Sequence, residues 1–315
     1  MRLLHIGMFN RHETQITMRE ALESISSIYS EYSFEENLLQ AQSAFNSADE
    51  YDVIFLHVQR PGVIDIKKAK ELNEKGVHIF NFTGDVRQPL PEWYLALAPY
   101  VTTLFTNMYD VNYVRSFGHR AEYLQVGYNH YVYKKDGLKD KTAPQIVFMG
   151  NNYGKTFPLS QDRINLVGRL KRKYGNNFKV YGSGWERGTE NLNHRQDREA
   201  EIYRGAKIAI NFSHFNLSRY SSDRLFRILG CGTFCLTHRY KDMNLEFEDG
   251  KHLCAFDNIN DLCAKIDYYL RNEHERREIA KNGNELCEST CTWGHRISQL
   301  KNMIDERVLC SSISQ

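Results

Sequence analysis

Short apolar runs alternate with amphipathic helical stretches along the chain, and this alternation constrains the fold more than any other feature. The runs at 3–9, 51–58 and 77–82 are each followed by a polar loop and then by a helix-like pattern. Strands without alternating polar residues are buried on both faces, as in parallel sheets covered by helices. The pattern therefore predicts an α/β chain built from Rossmann-like units.

The alternation is interrupted once, by the Lys-, Asp- and Gly-rich stretch 131–144, and it restarts with an apolar run. A chain of 315 residues is long enough for two domains of ordinary size. We predict an N-terminal domain at 1–135 and a C-terminal domain at 144–300, with 301–315 as a helix end and tail. Two such units joined by one linker predict a ligand cleft between their sheets.

Composition indicates a cytoplasmic globular protein. Hydrophobic residues make up 41% of the chain and charged residues 25%, and neither a signal peptide nor an apolar run of membrane-spanning length is evident. All seven cysteines lie between Cys231 and Cys310, in spacings typical of neither a disulfide framework nor a zinc site, so we expect reduced thiols. The net charge of +2 argues against a protein that coats DNA but allows a local basic groove.

The stretch 220–237 combines a polar loop, a short helix, two glycines and an apolar strand. Ser222 and Asp223 favour a helix start, whose free backbone N–H groups are suited to bind an anion. Arg224 and Arg227 add two guanidinium groups. An ordinary helix-to-strand connection explains the same pattern, so both interpretations stay open.

Two more loops are predicted to reach the same edge of the second sheet. The segment 150–155, Gly-Asn-Asn-Tyr-Gly-Lys, offers backbone amides and an ammonium group for a phosphate, although its spacing is not that of a P-loop. The segment 181–185, Tyr-Gly-Ser-Gly-Trp, suits either stacking on a base or a turn with two core rings. The candidate binding residues in these loops are Gly150, Asn151, Asn152, Lys155, Tyr181 and Gly182.

The second half contains an ordered series of short segments: Arg224-Leu225-Phe226, Leu229-Gly230-Cys231-Gly232, Leu236-Thr237, Phe247-x-x-Gly250, the stretch 262–270, and Thr292-Trp293-x-x-Arg296. In this order they resemble segments of the CgeB-like (spore-maturation type) glycosyltransferases. The resemblance covers roughly residues 145–300 and is looser in the first half, around 82–87 and 127–129. It implies a GT-B fold, in which two Rossmann-like domains face a central cleft. It also implies a nucleotide-sugar donor, most often a UDP-sugar, on the C-terminal domain, and neither a metal nor another cofactor.

The resemblance assigns roles to the residues of the second half. The groups expected to neutralise the leaving diphosphate are Ser222, Arg224, Arg227 and Lys155, with Arg163 in reserve on a helix that also reads as a solvated basic face. In the family pattern an acidic residue follows Arg-x-Phe and contacts the ribose or the sugar of the donor, whereas this chain has Arg227 there. Asp223 is the candidate replacement for that carboxylate.

Two residues of the first half are candidate bases for an acceptor hydroxyl. Asp85 follows a predicted strand end beside Arg87, where a surface turn with a local ion pair is the alternative. His12 lies in the loop after the first strand. Three other histidines are expected to be structural: His57, His78 and His214.

The sequence thus predicts a metal-independent glycosyltransferase. Its acceptor is a glycan, a small molecule or a modified DNA base. The alternatives are a phage-type DNA glycosyltransferase that acts on a hydroxylated base, and a catalytically inactive nucleotide-sugar-binding module, which the departure at Arg227 permits. A NAD-dependent oxidoreductase is disfavoured because no G-x-G-x-x-G follows the first strand.

Overall fold

The computed structural model describes residues 1–9, 15–192 and 195–313, which divide into two compact units. Unit 1 comprises Met1–Gly127 and the chain from Trp293 onward, and unit 2 comprises Tyr128–Thr292. Each unit contains one parallel β-sheet with helices packed against it. The predicted α/β fold with two Rossmann-like domains is therefore confirmed.

Unit 1 is a six-stranded parallel sheet in the order β2-β1-β3-β4-β5-β6. Its elements are β1 Arg2–Gly7, α1 Ile16–Ser24, β2 Ile28–Ser33, α2 Leu38–Asn46, β3 Val53–Leu56, α3 Ile66–Glu74, β4 His78–Thr83, α4 Glu92–Leu97, β5 Thr102–Phe105, α5 Met108–Arg115, β6 Ala121–Tyr123 and, from the chain end, α11 Trp293–Ile313. Side chains alternate between the two faces of a strand. Leu4 and Ile54 accordingly pack in one core, and Leu3 and Phe55 in another.

Unit 2 is a five-stranded parallel sheet in the order β11-β10-β9-β7-β8. Its elements are β7 Ile146–Met149, α6 Ser160–Tyr174, β8 Phe178–Tyr181, α7 Gln196–Gly205, β9 Ile208–Asn211, α8 Asp223–Gly230, β10 Phe234–His238, β11 Cys254–Phe256, α9 Ile259–Arg271 and α10 Glu273–Thr290. The chain leaves β7 for β8 on one side and continues from β9 on the other. This sheet order places a topological switch point between β7 and β9, where open α/β sheets bind ligands.

Three elements were not predicted from the sequence. Helix α1 ends at Ser24, and Ile28 begins β2, a half-exposed strand without the apolar run of the inner strands. The polar helix α7 buries only Ala200, Ile202 and Tyr203, which gives a weak periodic signal. Strand β11 has three residues. The last helix extends from Trp293 to Ile313 and so continues through most of the predicted tail.

The division of the chain differs from the boundaries at 135, 144 and 300. The predicted linker 131–144 lies in unit 2, where the Arg204 guanidinium donates to the carbonyl oxygens of Val132, Lys134 and Leu138. Helix α11 belongs to unit 1, because Leu300 and Ile304 are buried in its core. Composition alone does not reveal that a polar segment is held by one arginine.

Six of the cysteines are buried free thiols: Cys231, Cys235, Cys254, Cys263, Cys287 and Cys291. Burial raises the pKa of the Cys231 thiol to about 12, so this group stays protonated at neutral pH. Within the described ranges, every helix is too short or too polar to cross a bilayer.

Two helical glycines of unit 2 form a matched test of its packing. A Cβ on Gly283 in α10 would overlap the carbonyl oxygen of His252, whereas one on Gly168 in α6 would lie 3.5 Å from the flexible end of Arg172. We expect Gly168→Ala to raise the free energy of unfolding by up to about 1 kcal/mol through helix propensity. Gly283→Ala should lower it by roughly 1–3 kcal/mol through overpacking. Urea denaturation measures both, and equal effects would contradict the packing of α10.

Candidate functional site

A pocket of about 350 Å³ opens at the carboxyl edge of the unit 2 sheet. Its wall is formed by the ends of β7 and β8, by α7, and by the first turns of α8. Among the residues predicted to bind a ligand, those that line it are Gly150, Asn151, Tyr181, Gly182, Asp223, Arg224 and Arg227. The structure thus brings together most of the loops that the sequence singled out.

Two glycines let the loops after β7 and β8 approach each other. Gly150 has φ +153° and Gly182 has φ +133°, values that L-residues with a side chain rarely adopt. The N–H of Gly150 donates to the carbonyl of Tyr181 over 2.8 Å, and a Cβ on Gly182 would lie 2.6 Å from the carbonyl oxygen of Gly150. The indole N–H of Trp185 donates to the same carbonyl over 2.7 Å. A small, rigid backbone turn results at one wall of the pocket.

Two arginines meet beside this turn. Arg163 and Arg224 place their guanidinium carbons 4.7 and 5.6 Å from the ring centroid of Phe148. A Cβ on Gly150 would overlap the guanidinium of Arg163 and lie 2.8 Å from that of Arg224. The glycine is therefore what gives both side chains access to the turn.

Among the residues that the structure describes, no carboxylate balances the charge of this pair. Arg163 is 2% exposed and donates to the carbonyl of Phe212 over 2.9 Å, and its Nε finds no hydrogen-bond partner among the described residues. Within the described residues, neither arginine forms an ion pair. Burial and the neighbouring Arg224 hold the pKa of Arg163 well below its ordinary value. Because a buried unpaired charge is costly, the arrangement favours an anionic ligand at this point.

Polar side chains hold Arg224 in place. Its guanidinium donates to the Ser222 hydroxyl over 3.1 Å and to the Asn211 amide oxygen over 3.3 Å. Asn211 in turn donates to the Thr237 hydroxyl over 2.9 Å. Ser222 occupies the N-cap position of α8, but its side chain makes no cap hydrogen bond. Its hydroxyl orients Arg224 and Asn211 instead, which corrects the simple capping role expected from the sequence.

His214 lies close to the same pair. Its Nδ1 is 3.4 Å from the Ser160 hydroxyl, and its buried Nε2 has no hydrogen-bond partner. Burial, followed by the charges of Arg163 and Arg224, lowers the pKa of His214 to about 3. The imidazole is thus a neutral group beside two cations at physiological pH.

Arg227 differs from the other two arginines because it is already paired. Its guanidinium lies 3.1 Å from the Glu199 carboxylate and 2.5 Å from that of Asp223. Although burial alone would lower it, these carboxylates and the Tyr133 phenol raise the pKa of Arg227 well above its ordinary value. Arg227 lines the pocket as predicted. The second cation without an ion pair among the described residues is, however, Arg163, which the sequence analysis named only as a further candidate.

Glu199 is a pocket residue that the sequence analysis did not select. It lies on α7, the helix that was not predicted, and is separated by 28 positions from its partner Arg227. No motif in the chain links the two positions, so only the packing of α7 against α8 reveals the pair.

Four of the selected residues lie outside the pocket wall or contribute little side-chain surface to it. The side-chain oxygen of Asn152 accepts from the N–H of Gly154 over 2.9 Å and stabilises its own loop. Lys155 is exposed on that loop, and Ser222 acts through Arg224. Tyr181 is 2% exposed with the Lys179 ammonium 4.5 Å from its ring centroid, which leaves little ring surface for stacking on a base.

The acceptor-side candidates belong to unit 1. Asp85 is exposed directly after β4 and Gly84, at the carboxyl edge of that sheet. His12 lies outside the described residues. His57, expected to be structural, is buried with its Nδ1 3.1 Å from the Gln15 amide oxygen. Across the described parts of both units, no three His, Cys, Asp or Glu side chains are grouped as a metal site requires.

Comparison with protein families identifies a domain in the second half of the chain. Residues 163–302 match the family model described as glycosyl transferase-like, and the match begins at Arg163 and contains α7 and α8. This part of the chain is therefore similar to a glycosyl transferase-like domain. No curated protein sequence matches the chain.

Solved structures share the fold at low sequence identity. HepE from Anabaena, in complex with UDP and glucose, has a TM-score of 0.66 at 11% identity, covering 97% of this chain and 100% of that chain. An α-glucosyltransferase, in complex with UDP and a DNA that contains an HMU base, has a TM-score of 0.68 at 9% identity, with 97% and 99% covered. Sucrose-phosphate synthase from Thermosynechococcus elongatus has a TM-score of 0.63 at 11% identity, with 98% and 99% covered. These similarities confirm the predicted GT-B type of fold.

The proximity of His214 to the arginines can be tested by its titration. The pKa of His214 should rise in Arg224→Met toward 6.5 without reaching it, because one cation is removed while burial and Arg163 remain. NMR titration of the histidine Cε1–H signals measures this. His57, whose pKa burial alone lowers to about 4, serves as the control and should not change. An identical His214 titration in both proteins would contradict the site geometry.

Proposed function

We propose that the protein is a glycosyltransferase that moves a sugar from a nucleoside-diphosphate sugar, in the first place a UDP-sugar, to a hydroxyl acceptor. The observation that carries this proposal is the pair of arginines at Phe148, for which the described residues provide no carboxylate partner. The glycosyl transferase-like domain and the UDP bound in structures of the same fold support it.

In the proposed reaction the bond between the anomeric carbon of the sugar and the diphosphate oxygen breaks. Negative charge then grows on the leaving diphosphate, and preorganised cations lower the barrier by stabilising it. Arg163 and Arg224 are held in position before the ligand arrives, by the Phe212 carbonyl and by Ser222 with Asn211. Because the N–H groups of Gly150 and Asn152 already donate to the carbonyls of Tyr181 and Ser183, the two guanidinium groups are the donors that we propose for the phosphate oxygens.

On the acceptor side we propose Asp85 as the group that receives the hydroxyl proton or positions the hydroxyl. Asp85 is exposed after the carboxyl end of β4, the edge at which a parallel sheet presents catalytic side chains. His12 remains the second candidate base. We further propose that the enzyme is of the CgeB-like type, works without a bound metal and acts in the cytoplasm; the ordered motifs and the buried free thiols support these assignments.

Donor binding provides the first test of this function. UDP titrated into the protein by calorimetry should bind, and Arg163→Met and Arg224→Met should each weaken binding by about 10-fold to 150-fold, the effect of losing a hydrogen bond to a charged group. Arg169→Met is the matched control, because Arg169 is exposed on the same helix α6. Absence of UDP binding, or equal binding by Arg224→Met, would overturn the proposal.

Turnover separates an enzyme from an inactive nucleotide-sugar-binding module. An active enzyme should slowly hydrolyse UDP-glucose, or another UDP-sugar from a panel, when no acceptor is present. Asp85→Asn should lower transfer by roughly 10²-fold or more, the usual contribution of a general base, while UDP binding stays unchanged. A donor that binds and is never turned over would identify a binding module.

A modified DNA base is the acceptor that one observation favours, namely the similarity to the α-glucosyltransferase in complex with HMU-containing DNA. If DNA is the acceptor, labelled glucose should pass to a duplex with a hydroxylated base and not to the unmodified duplex. DNA affinity should also fall steeply with rising salt concentration, since phosphate contacts release counterions. A glycan or small-molecule acceptor would show no such dependence.

A further inference from the structure

A second group of charges lines the pocket and is chemically unlike the arginine pair. It consists of Glu199, Asp223 and Arg227, with the Tyr133 phenol behind them. Two carboxylates and one guanidinium give this group a formal charge of −1. A phosphate would be repelled here, so the group is suited to another part of a ligand.

Glu199 is held rigidly by neighbours from two other segments. The Arg227 guanidinium lies 3.1 and 3.4 Å from its two oxygens, and the Tyr133 hydroxyl donates to one of them over 2.9 Å. Only 14% of the Glu199 side chain is exposed. A carboxylate offers about four acceptor positions, so these contacts leave Glu199 with capacity to accept hydrogen bonds from a ligand in the pocket.

Arg227 also keeps the two carboxylates in the same wall. Its second nitrogen lies 2.5 Å from the carboxylate of Asp223, four positions earlier on α8. Without the guanidinium between them, the like charges of Glu199 and Asp223 would repel each other, and one side chain would turn away. Arg227 therefore affects a ligand by fixing the positions of Glu199 and Asp223.

We propose that Glu199, with Asp223 beside it, accepts hydrogen bonds from a vicinal diol of the donor, and that Arg227 is the residue that positions these carboxylates. This inference rests on the proposed function, because a nucleotide sugar carries a diphosphate and hydroxyl-bearing rings in one molecule. Hydrogen bonds from hydroxyl groups to a carboxylate are charge-assisted and strong. The proposed carboxylate comes from α7, and Arg227 on α8 holds it in the pocket wall.

The diol is either that of the nucleotide ribose or that of the transferred sugar, and calorimetry with three ligands distinguishes the two. If the ribose is bound, the wild type should prefer UDP over 2′-deoxy-UDP by about 10-fold to 100-fold, and Glu199→Gln should lose that preference. If the sugar is bound, UDP-glucose should exceed UDP in affinity by a similar factor, and Glu199→Gln should lose this gain. Glu201→Gln is the control, since Glu201 lies on the same helix paired with Arg198 and outside the pocket wall.

Inorganic pyrophosphate separates this inference from the proposed function. Its affinity should be unchanged in Glu199→Gln and strongly reduced in Arg224→Met. If UDP binds and Glu199→Gln changes neither preference, the diol assignment is overturned while the proposed function stands. If UDP does not bind to the wild type, the proposed function fails and this inference fails with it.

The positioning role of Arg227 has its own measurement. Arg227→Met should reduce the preference that Glu199 provides and leave the pyrophosphate affinity unchanged, whereas Arg227→Lys should restore most of the preference. A loss of pyrophosphate affinity in Arg227→Met equal to that in Arg224→Met would assign Arg227 to the phosphates and overturn the positioning role. Glu199→Gln preserves the shape of the side chain and keeps the test valid if Arg227→Met does not fold.

Discussion

The arrangement of the site depends on two like charges that are held together before any ligand is present. Arg163 is buried against the face of Phe148, and Arg224 approaches the same ring. Placing an unpaired guanidinium away from water costs several kcal/mol or more, so such a pair persists only where the fold over-determines it. The Phe212 carbonyl, the Ser222 hydroxyl and the glycine turn after β7 provide that constraint. Binding energy that a flexible site would spend on ordering its cations is then available for the ligand.

The order of the strands explains why these groups meet. Strands β7 and β9 are neighbours, yet the chain between them first visits β8 at the sheet edge. The loops that follow β7 and β9 therefore diverge and leave room above the two strand ends. The glycine turn comes from the first loop, and the Phe212 carbonyl that accepts from Arg163 comes directly after β9. The strand order thus provides the space for the site, and the side chains provide its charge.

The sequence was sufficient for the parts of this structure that are local. Apolar strands and amphipathic helices repeat along the chain, and helix α8 with its arginines follows a recognisable motif. Strand β2 and helix α7 were not predicted, because each is polar and exposed on one side. Tertiary packing decides their structure. Periodicity placed Arg163 on a helix but did not show that the residue lies on the buried face. The pairing of Glu199 with Arg227 joins positions 28 residues apart, which no local pattern can report.

Arg227 stands where the resembled family has an acidic residue, and its ion-pair partners explain what an arginine does there. Considered alone, an arginine in place of a carboxylate would add a third cation to the proposed phosphate site. Paired with Glu199 and Asp223, it leaves the positive charge concentrated at Arg163 and Arg224 and keeps a negative group elsewhere in the same wall. A bound nucleotide sugar with its phosphates at the carboxylates would then meet like charges, and such repulsion rejects a wrong orientation as effectively as attraction selects the right one. Arg224 and the group of net negative charge line the same pocket, so under the proposed function they fix the direction in which a donor lies.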